Sequence, residues 1–187
     1  PSGCAPLTVT FQDLSTGTPT SWDWDLGNGT SSGNQNPSTI YLTPGVYTVT
    51  LTVTNANGSN TVTKTNYITV YDKPNPNFSV SNLNGCAPLS STFTDLSTTP
   101  TGTTITEWEW DFGDGKISND KNPTNVYNAG LFDITLTVKN SGGCSSTISR
   151  SQYISVSPAL LADFSFTAST KCKPPETIFF TNSTTGT

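Results

Sequence analysis

The side chains best suited to chemistry gather in one short segment, Trp110-Asp111-Phe112-Gly113-Asp114-Gly115. Asp111 and Asp114 are hard oxygen donors in a glycine-rich turn, the ligand type a structural Ca²⁺ ion takes. Ca²⁺ wants about six to eight oxygens, so two carboxylates make a thin ligand set. The same residues read as a tight turn, with Gly113 and Gly115 at positive φ and the Asp side chains accepting from nearby backbone amides. An earlier segment, Trp22-Asp23-Trp24-Asp25-Leu26-Gly27-Asn28-Gly29, repeats the pattern but carries neutral Asn28 in place of Asp114. A metal site shared by both segments is weakened accordingly.

The tryptophans invite a second chemistry, stacking on sugar rings. Alternation along a strand places Trp22, Trp24 and Leu26 on one face and Asp23 and Asp25 on the other. Trp24 and Trp110, further along their strands, read as core. Trp22 and Trp108, nearer the strand ends, suit either the core or a carbohydrate platform, with Tyr41 as a further exposed aromatic. No catalytic constellation emerges. The chain has no His, hence no imidazole base and no conventional triad. Glu107 and Glu109 fall on the solvent side of a strand. Asp-Phe-Gly with Lys116 lacks every other kinase segment.

These residues sit in a repeat. Cys4-Ala5-Pro6-Leu7 returns as Cys86-Ala87-Pro88-Leu89, and more weakly as Cys172-Lys173-Pro174-Pro175. Phe11-Gln12-Asp13-Leu14-Ser15 matches Phe93-Thr94-Asp95-Leu96-Ser97, and Asn36-Pro37 matches Asn122-Pro123. Asn77-Phe78-Ser79 and Asp163-Phe164-Ser165 open the second and third copies, whereas Pro1 aligns with Leu83. A period of this size is a small domain rather than a solenoid unit. The expected domains are 1–72, lacking its opening strand, 73–158, complete, and 159–187, the beginning of a third. The chain therefore reads as a window on a longer array.

Strict alternation runs through Tyr47, Val49, Leu51 and Val53 against Thr48, Thr50, Thr52 and Thr54, and again through Phe132, Ile134, Leu136 and Val138. That is the pattern of strands buried on one side. Turn signals such as Pro44-Gly45, Asn57-Gly58 and Gly142-Gly143 separate them. The fold class is all-β: tandem immunoglobulin-like antiparallel β-sandwiches arranged end to end. With 11% charged residues, a net charge of -5 and a pI near 4.4, the chain lacks the basic stripe that nucleic acid requires. No apolar run approaches the roughly 18 residues of a membrane span.

The order Cys-Ala-Pro-Leu, Phe-x-Asp-x-Ser, Trp-x-Trp-Asp-Phe-Gly-Asp-Gly, Asn-Pro and Gly-x-Tyr/Phe-x-Val/Ile-x-Leu-x-Val resembles the PKD (polycystic kidney disease) domain. Trp110 to Gly115 reproduces that family's signature whole, and the first copy departs at Leu26 and Asn28. The Thr- and Asn-rich copies with paired cysteines resemble those of very large secreted surface proteins and adhesins of Bacteroidota. The resemblance implies a stalk, spacer or interaction module, extracellular or on a bacterial cell surface, with structural Ca²⁺ in some members and no other cofactor. Its expected partners are neighbouring PKD domains of the same polypeptide, with a surface polysaccharide or protein as ligand. The alternatives are a carbohydrate- or protein-binding accessory module of a secreted hydrolase and a subunit of an extracellular filament.

Four cysteines in such a chain point to disulfides and an oxidising compartment. Cys4, Cys86 and Cys172 precede the second strand of each copy, and Cys144 lies in the last hairpin of the second. In immunoglobulin topology these two loops lie at opposite ends of one domain, separated by a strand of about 23 Å for seven residues, against about 7 Å for bridged Cα atoms. The expected bond is Cys4 to Cys144 across the junction, with Cys86 to Cys144 as the competitor. Cys86 and Cys172 are then left for partners beyond the chain. The linker Tyr71-Asp72-Lys73-Pro74-Asn75-Pro76, with two prolines, favours an extended backbone.

Overall fold

The computed structural model describes residues 1–167 and 179–183. Every element among them is a strand or a turn. The first repeat contains β1 (Ser2–Cys4), β2 (Leu7–Thr10), β3 (Ser21–Asp25), β4 (Ser31–Ser32), β5 (Ser38–Tyr41), β6 (Gly45–Asn55) and β7 (Gly58–Tyr71). One sheet has the order β1-β7-β6-β3-β4, and the other is the pair β2-β5. The second repeat contains β8 (Phe78–Val80), β9 (Asn84–Cys86), β10 (Leu89–Asp95), β11 (Ile105–Asp111), β12 (Ile117–Ser118), β13 (Thr124–Tyr127), β14 (Gly130–Asn140) and β15 (Ser145–Ser157). Its sheets are β12-β11-β14-β15-β9 and β13-β10-β8. Last come β16 (Phe164–Thr167) and β17 (Phe179–Asn182), paired antiparallel. Cys172 and its neighbours lie outside the described residues.

Each repeat is an immunoglobulin-like sandwich. Its long hairpin, β6–β7 or β14–β15, supplies the centre of the larger sheet. The solvent face of the first hairpin is a threonine ladder, with Thr50 against Thr63 at 3.1 Å and Thr52 against Thr61 at 2.9 Å. Cross-strand hydroxyl pairs stabilise a sheet without ionic charge, which is how so few charged residues suffice. The inner face packs Phe11, just past the end of β2, and Tyr41 of β5 against Trp24, Leu26, Val49, Leu51, Ile68 and Val70. Burying one such side chain is worth about 1.5–3 kcal/mol.

One pairing in each repeat is parallel, a departure from the expected antiparallel arrangement. β1 runs beside β7 with Cys4 opposite Tyr71, and β9 runs beside β15 with Cys86 opposite Ser157. The chain then crosses to the other sheet through Ala5-Pro6 or Ala87-Pro88, both cis peptides.

The residues group into two compact units. The first holds Pro1–Pro76 together with Ser97–Glu107 and Thr137–Ser146; the second holds Asn77–Leu96, Trp108–Leu136 and Thr147–Thr187. The hairpin tip that carries Cys144 thus belongs with the first repeat. Within the second unit, Phe78, Phe93, Trp110, Phe112, Tyr127 and Ile134 are buried. Phe78 meets Trp110 edge-on at 5.3 Å, and Phe93 meets it at 5.3 Å in a tilted contact.

Candidate functional site

The glycine turn after β11 is closed by its own side chains. Asp111 Oδ1 accepts from Gly113 N at 2.9 Å, as Asp25 Oδ1 accepts from Gly27 N at 2.9 Å. Asp114 Oδ1 accepts from Lys116 N at 3.1 Å, and its Oδ2 takes Lys116 Nζ at 2.8 Å and Asn125 Nδ2 at 3.0 Å. Partial burial would raise the Asp114 pKa, but the Asn125 amide and Lys116 outweigh it and hold the carboxyl below its ordinary value. The ammonium of Lys116 therefore stands where a cation would be needed.

This donor set does not fit Ca²⁺. Asp114 is already neutralised, Asp111 caps the turn, and among the described residues no group of three or more His, Cys, Asp or Glu converges on one point. In the first repeat the same space is filled without charge. Asn28 Oδ1 accepts from Thr30 N at 3.2 Å and Thr30 Oγ1 at 2.6 Å, while its Nδ2 donates to Thr39 Oγ1 at 3.2 Å and Ile40 O at 3.3 Å. The Asp-to-Asn departure is thus one half of a coupled exchange in a turn network.

The second shared motif is equally internal. Trp22 Nε1 donates to Asp13 Oδ2 at 2.7 Å, and Trp108 Nε1 donates to Asp95 Oδ2 at 2.9 Å. The Asn of Asn-Pro completes the cluster: Asn36 Oδ1 accepts from Asp13 N and Asn122 Oδ1 from Asp95 N, both at 2.8 Å. The Ser15 side chain, opposed by desolvation and assisted by Ser15 N, Trp22 and Gln35, pulls the Asp13 pKa down to about 2. Sequence reading identified these motifs but not their mutual bonding. The recurrence of Asp, Trp and Asn in the same order in both copies was the available signal.

Trp24 is 6% exposed and Trp110 0%. Trp22 and Trp108 are half-buried, each tied edge-on to its carboxylate. The reading of Tyr41 as an exposed sugar contact is corrected: it is 0% exposed, and its hydroxyl donates to Leu26 O at 2.7 Å. The turn of β3 folds over the ring, so the residue closes the core.

Cys4 and Cys144 form a disulfide with Cα atoms 5.6 Å apart. The surrounding contacts are close. Asn140 Oδ1 accepts from Gly142 N at 3.1 Å and Cys144 N at 3.0 Å, and its Nδ2 donates to Asp72 O at 3.0 Å. A side chain at Gly142 would collide with the Tyr71 ring, so glycine is required by this approach. Cys86 is a free, exposed thiol. In the linker, Asn75 and Thr98 exchange backbone hydrogen bonds at 2.8 and 3.0 Å.

The family profile described as PKD domain matches residues 2–70 and 72–156. A comparison with curated proteins finds no match. Among solved structures, the PKD1 domain of the Vibrio cholerae metalloprotease PrtV is 27% identical over 44% of this chain and 98% of that one, with a TM-score of 0.39. The PKD1 domain of Vibrio anguillarum Epp is 26% identical over 45% and 95%, with a TM-score of 0.39. The fibronectin(III)-like modules of Clostridium thermocellum CbhA are 12% identical over 83% and 89%, with a TM-score of 0.43. No helix among the described residues is long and apolar enough to cross a membrane.

Proposed function

The chain belongs to the PKD-domain family, and from that premise we propose that it is a non-enzymatic stalk or spacer of a large bacterial cell-surface or secreted protein, an adhesin of the Bacteroidota type. One observation carries the reading: the residues that define the motif bond to one another. Asp13, Trp22 and Asn36, like Asp95, Trp108 and Asn122, close on themselves, and Asp111 and Asp114 are spent on their own turn. Such residues maintain a repeat; they present no reacting groups to a substrate.

The Cys4–Cys144 bond suits a load-bearing role. Tension applied at the two ends crosses the sulfurs instead of residues 5–143, so that stretch cannot extend while the bond is intact. Reduction would release a hidden length of about 490 Å for 140 residues. The experiment is to hold the chain by its ends in an optical trap with and without reductant, and to screen the same chain on glycan arrays. A spacer shows the hidden length only after reduction and retains no glycan. Glycan retention that is lost in Trp22→Ala or Trp108→Ala would instead establish the accessory-module reading.

A further inference from the structure

The sequence contains three Asn-Gly pairs, Asn28-Gly29, Asn57-Gly58 and Asn84-Gly85, and the fold treats them differently. In such a pair the backbone nitrogen of the glycine can attack the carboxamide of the asparagine before it, because glycine puts no side chain in the way. The attack needs two freedoms. The carboxamide must be able to turn back, and the amide must be able to leave its place in the sheet or turn.

Asn28 lacks the first freedom. Its Oδ1 accepts from Thr30 N and Thr30 Oγ1, and its Nδ2 donates to Thr39 Oγ1 and Ile40 O. Asn84 lacks the second. It lies in β9, and Gly85 is held opposite Val156 in the parallel pairing with β15. Leu89 packs so closely there that a Cβ at Gly85 would stand 2.7 Å from its Cδ1. Asn57 has both freedoms. It sits at the tip of the β6–β7 hairpin, exposed together with Ala56 and Gly58. Its carboxamide bonds to none of the described residues; only its main-chain N–H is held, by Asn55 Oδ1 at 2.8 Å. Gly58, at φ 134°, faces Asn55 on the last rung of the hairpin, and nothing lies within 4 Å of where its Cβ would be. The last rung at an exposed tip opens at the least cost.

We propose that Asn57-Gly58 is a site of spontaneous modification, at which Asn57 becomes aspartate and isoaspartate through a cyclic imide. The Gly58 nitrogen, after giving its proton to solvent base, bonds to Asn57 Cγ. The Cγ–Nδ2 bond breaks, and Nδ2 leaves as ammonia with a proton from water. Water then opens the ring. Addition at Cγ leaves aspartate; addition at the main-chain carbonyl of residue 57 leaves isoaspartate, whose backbone runs through the former side chain. The net exchange takes in water and releases ammonia, with nothing oxidised or reduced. Isoaspartate lengthens the main chain between Asn55 and Gly58, the short connection that sets the hairpin's register. It also puts a carboxylate into residues 55–60, which carry no charge. The bond from Asn55 Nδ2 to Gly17 O at 2.7 Å ties this tip to the loop before β3, and it depends on the same geometry. The corresponding tip of the second repeat has Gly142-Gly143 in place of an Asn-Gly pair, so the two tips age differently.

The test incubates the whole oxidised chain in mildly alkaline water enriched in heavy oxygen, both native and in urea. Each Asn-Gly pair is followed by peptide mass spectrometry with fragmentation that separates isoaspartate from aspartate. In the native chain Asn57 is expected to convert at least about tenfold faster than Asn28 or Asn84, mainly to isoaspartate and with uptake of a heavy oxygen. In urea the three rates should draw together. Gly58→Ala should slow conversion at Asn57 several-fold, and should do so in urea as well, where any effect on folding does not enter. Native conversion of Asn28 or Asn84 at the rate of Asn57, conversion to aspartate alone, or no conversion at Asn57 overturns the proposal. This inference stands whether or not the segment is a spacer.

Discussion

Lys116 and Asn28 supply the same hydrogen bond from different positions of the turn. Lys116 Nζ donates to Val126 O at 3.1 Å, and Asn28 Nδ2 donates to Ile40 O, the equivalent carbonyl, at 3.3 Å. In one repeat the nitrogen comes from a lysine balanced by Asp114; in the other it comes from the residue that replaces that aspartate, and Thr30 stands where the lysine was. Asn28→Asp should therefore leave the Ile40 carbonyl facing a carboxylate, destabilising the first repeat by about 1 kcal/mol. Thr30→Lys in the same chain should recover most of that loss, with a coupling of about 0.5–1 kcal/mol in a double-mutant cycle measured by urea unfolding. Additive single effects would mean that the turn is not one network.

Asp13 anchors the Trp22 indole, and its pKa has a consequence in acid. The Ser15 side chain leads the interactions that bring it from 3.8 down to about 2. A depressed carboxylate contributes stability that is complete above the unfolded pKa and is lost as pH falls through the folded one. The difference in unfolding midpoint between the wild type and Asp13→Asn should hold steady above about pH 5 and shrink between about pH 4 and 2. A gap that stays constant to pH 2 would show that Asp13 is not held by these bonds.

Cys4 and Cys144 close a long loop, at a sequence separation of 140. A cross-link of that span removes much of the freedom of the unfolded state, and native disulfides are commonly worth about 2–4 kcal/mol. Cys4→Ser should lower stability by that order in non-reducing conditions, and reductant should bring the wild type to the same level. Alkylation of the oxidised protein should modify Cys86, which is exposed, and spare Cys4 and Cys144. Labelling of Cys4 ahead of Cys86 would contradict the bond.

The alternation in β6 and β14 made the sandwich legible, because a period of two over so many residues has one structural meaning. Buried Trp24 and Trp110 follow from the same parity. Tyr41 was not legible: β5 has four residues, too few for parity to distinguish a buried ring from an exposed one. The bonds of Asp13 to Trp22 and of Asp114 to Asn125 were hidden for another reason. They join residues 9 and 11 positions apart in sequence, across turns whose path depends on the sheets around them.

Gly113 and Gly115 both have positive φ, at 73° and 86°, yet substitutions there should differ sharply. A Cβ at Gly113 would run into the Asp133 carbonyl, whereas at Gly115 nothing lies within 4 Å. Gly115→Ala should then cost only the backbone penalty, about 1 kcal/mol. Gly113→Ala adds a collision with main-chain atoms fixed in β14, and should cost about 3 kcal/mol or more. Gly27→Ala should match it in the first repeat, where the obstacle is the Thr48 carbonyl and φ is 77°. Thermal unfolding of the three variants measures this directly. If the two glycines of the second repeat were equally sensitive, the tight approach of the turn to β14 would be wrong, and the motif's first glycine would be needed for its φ alone.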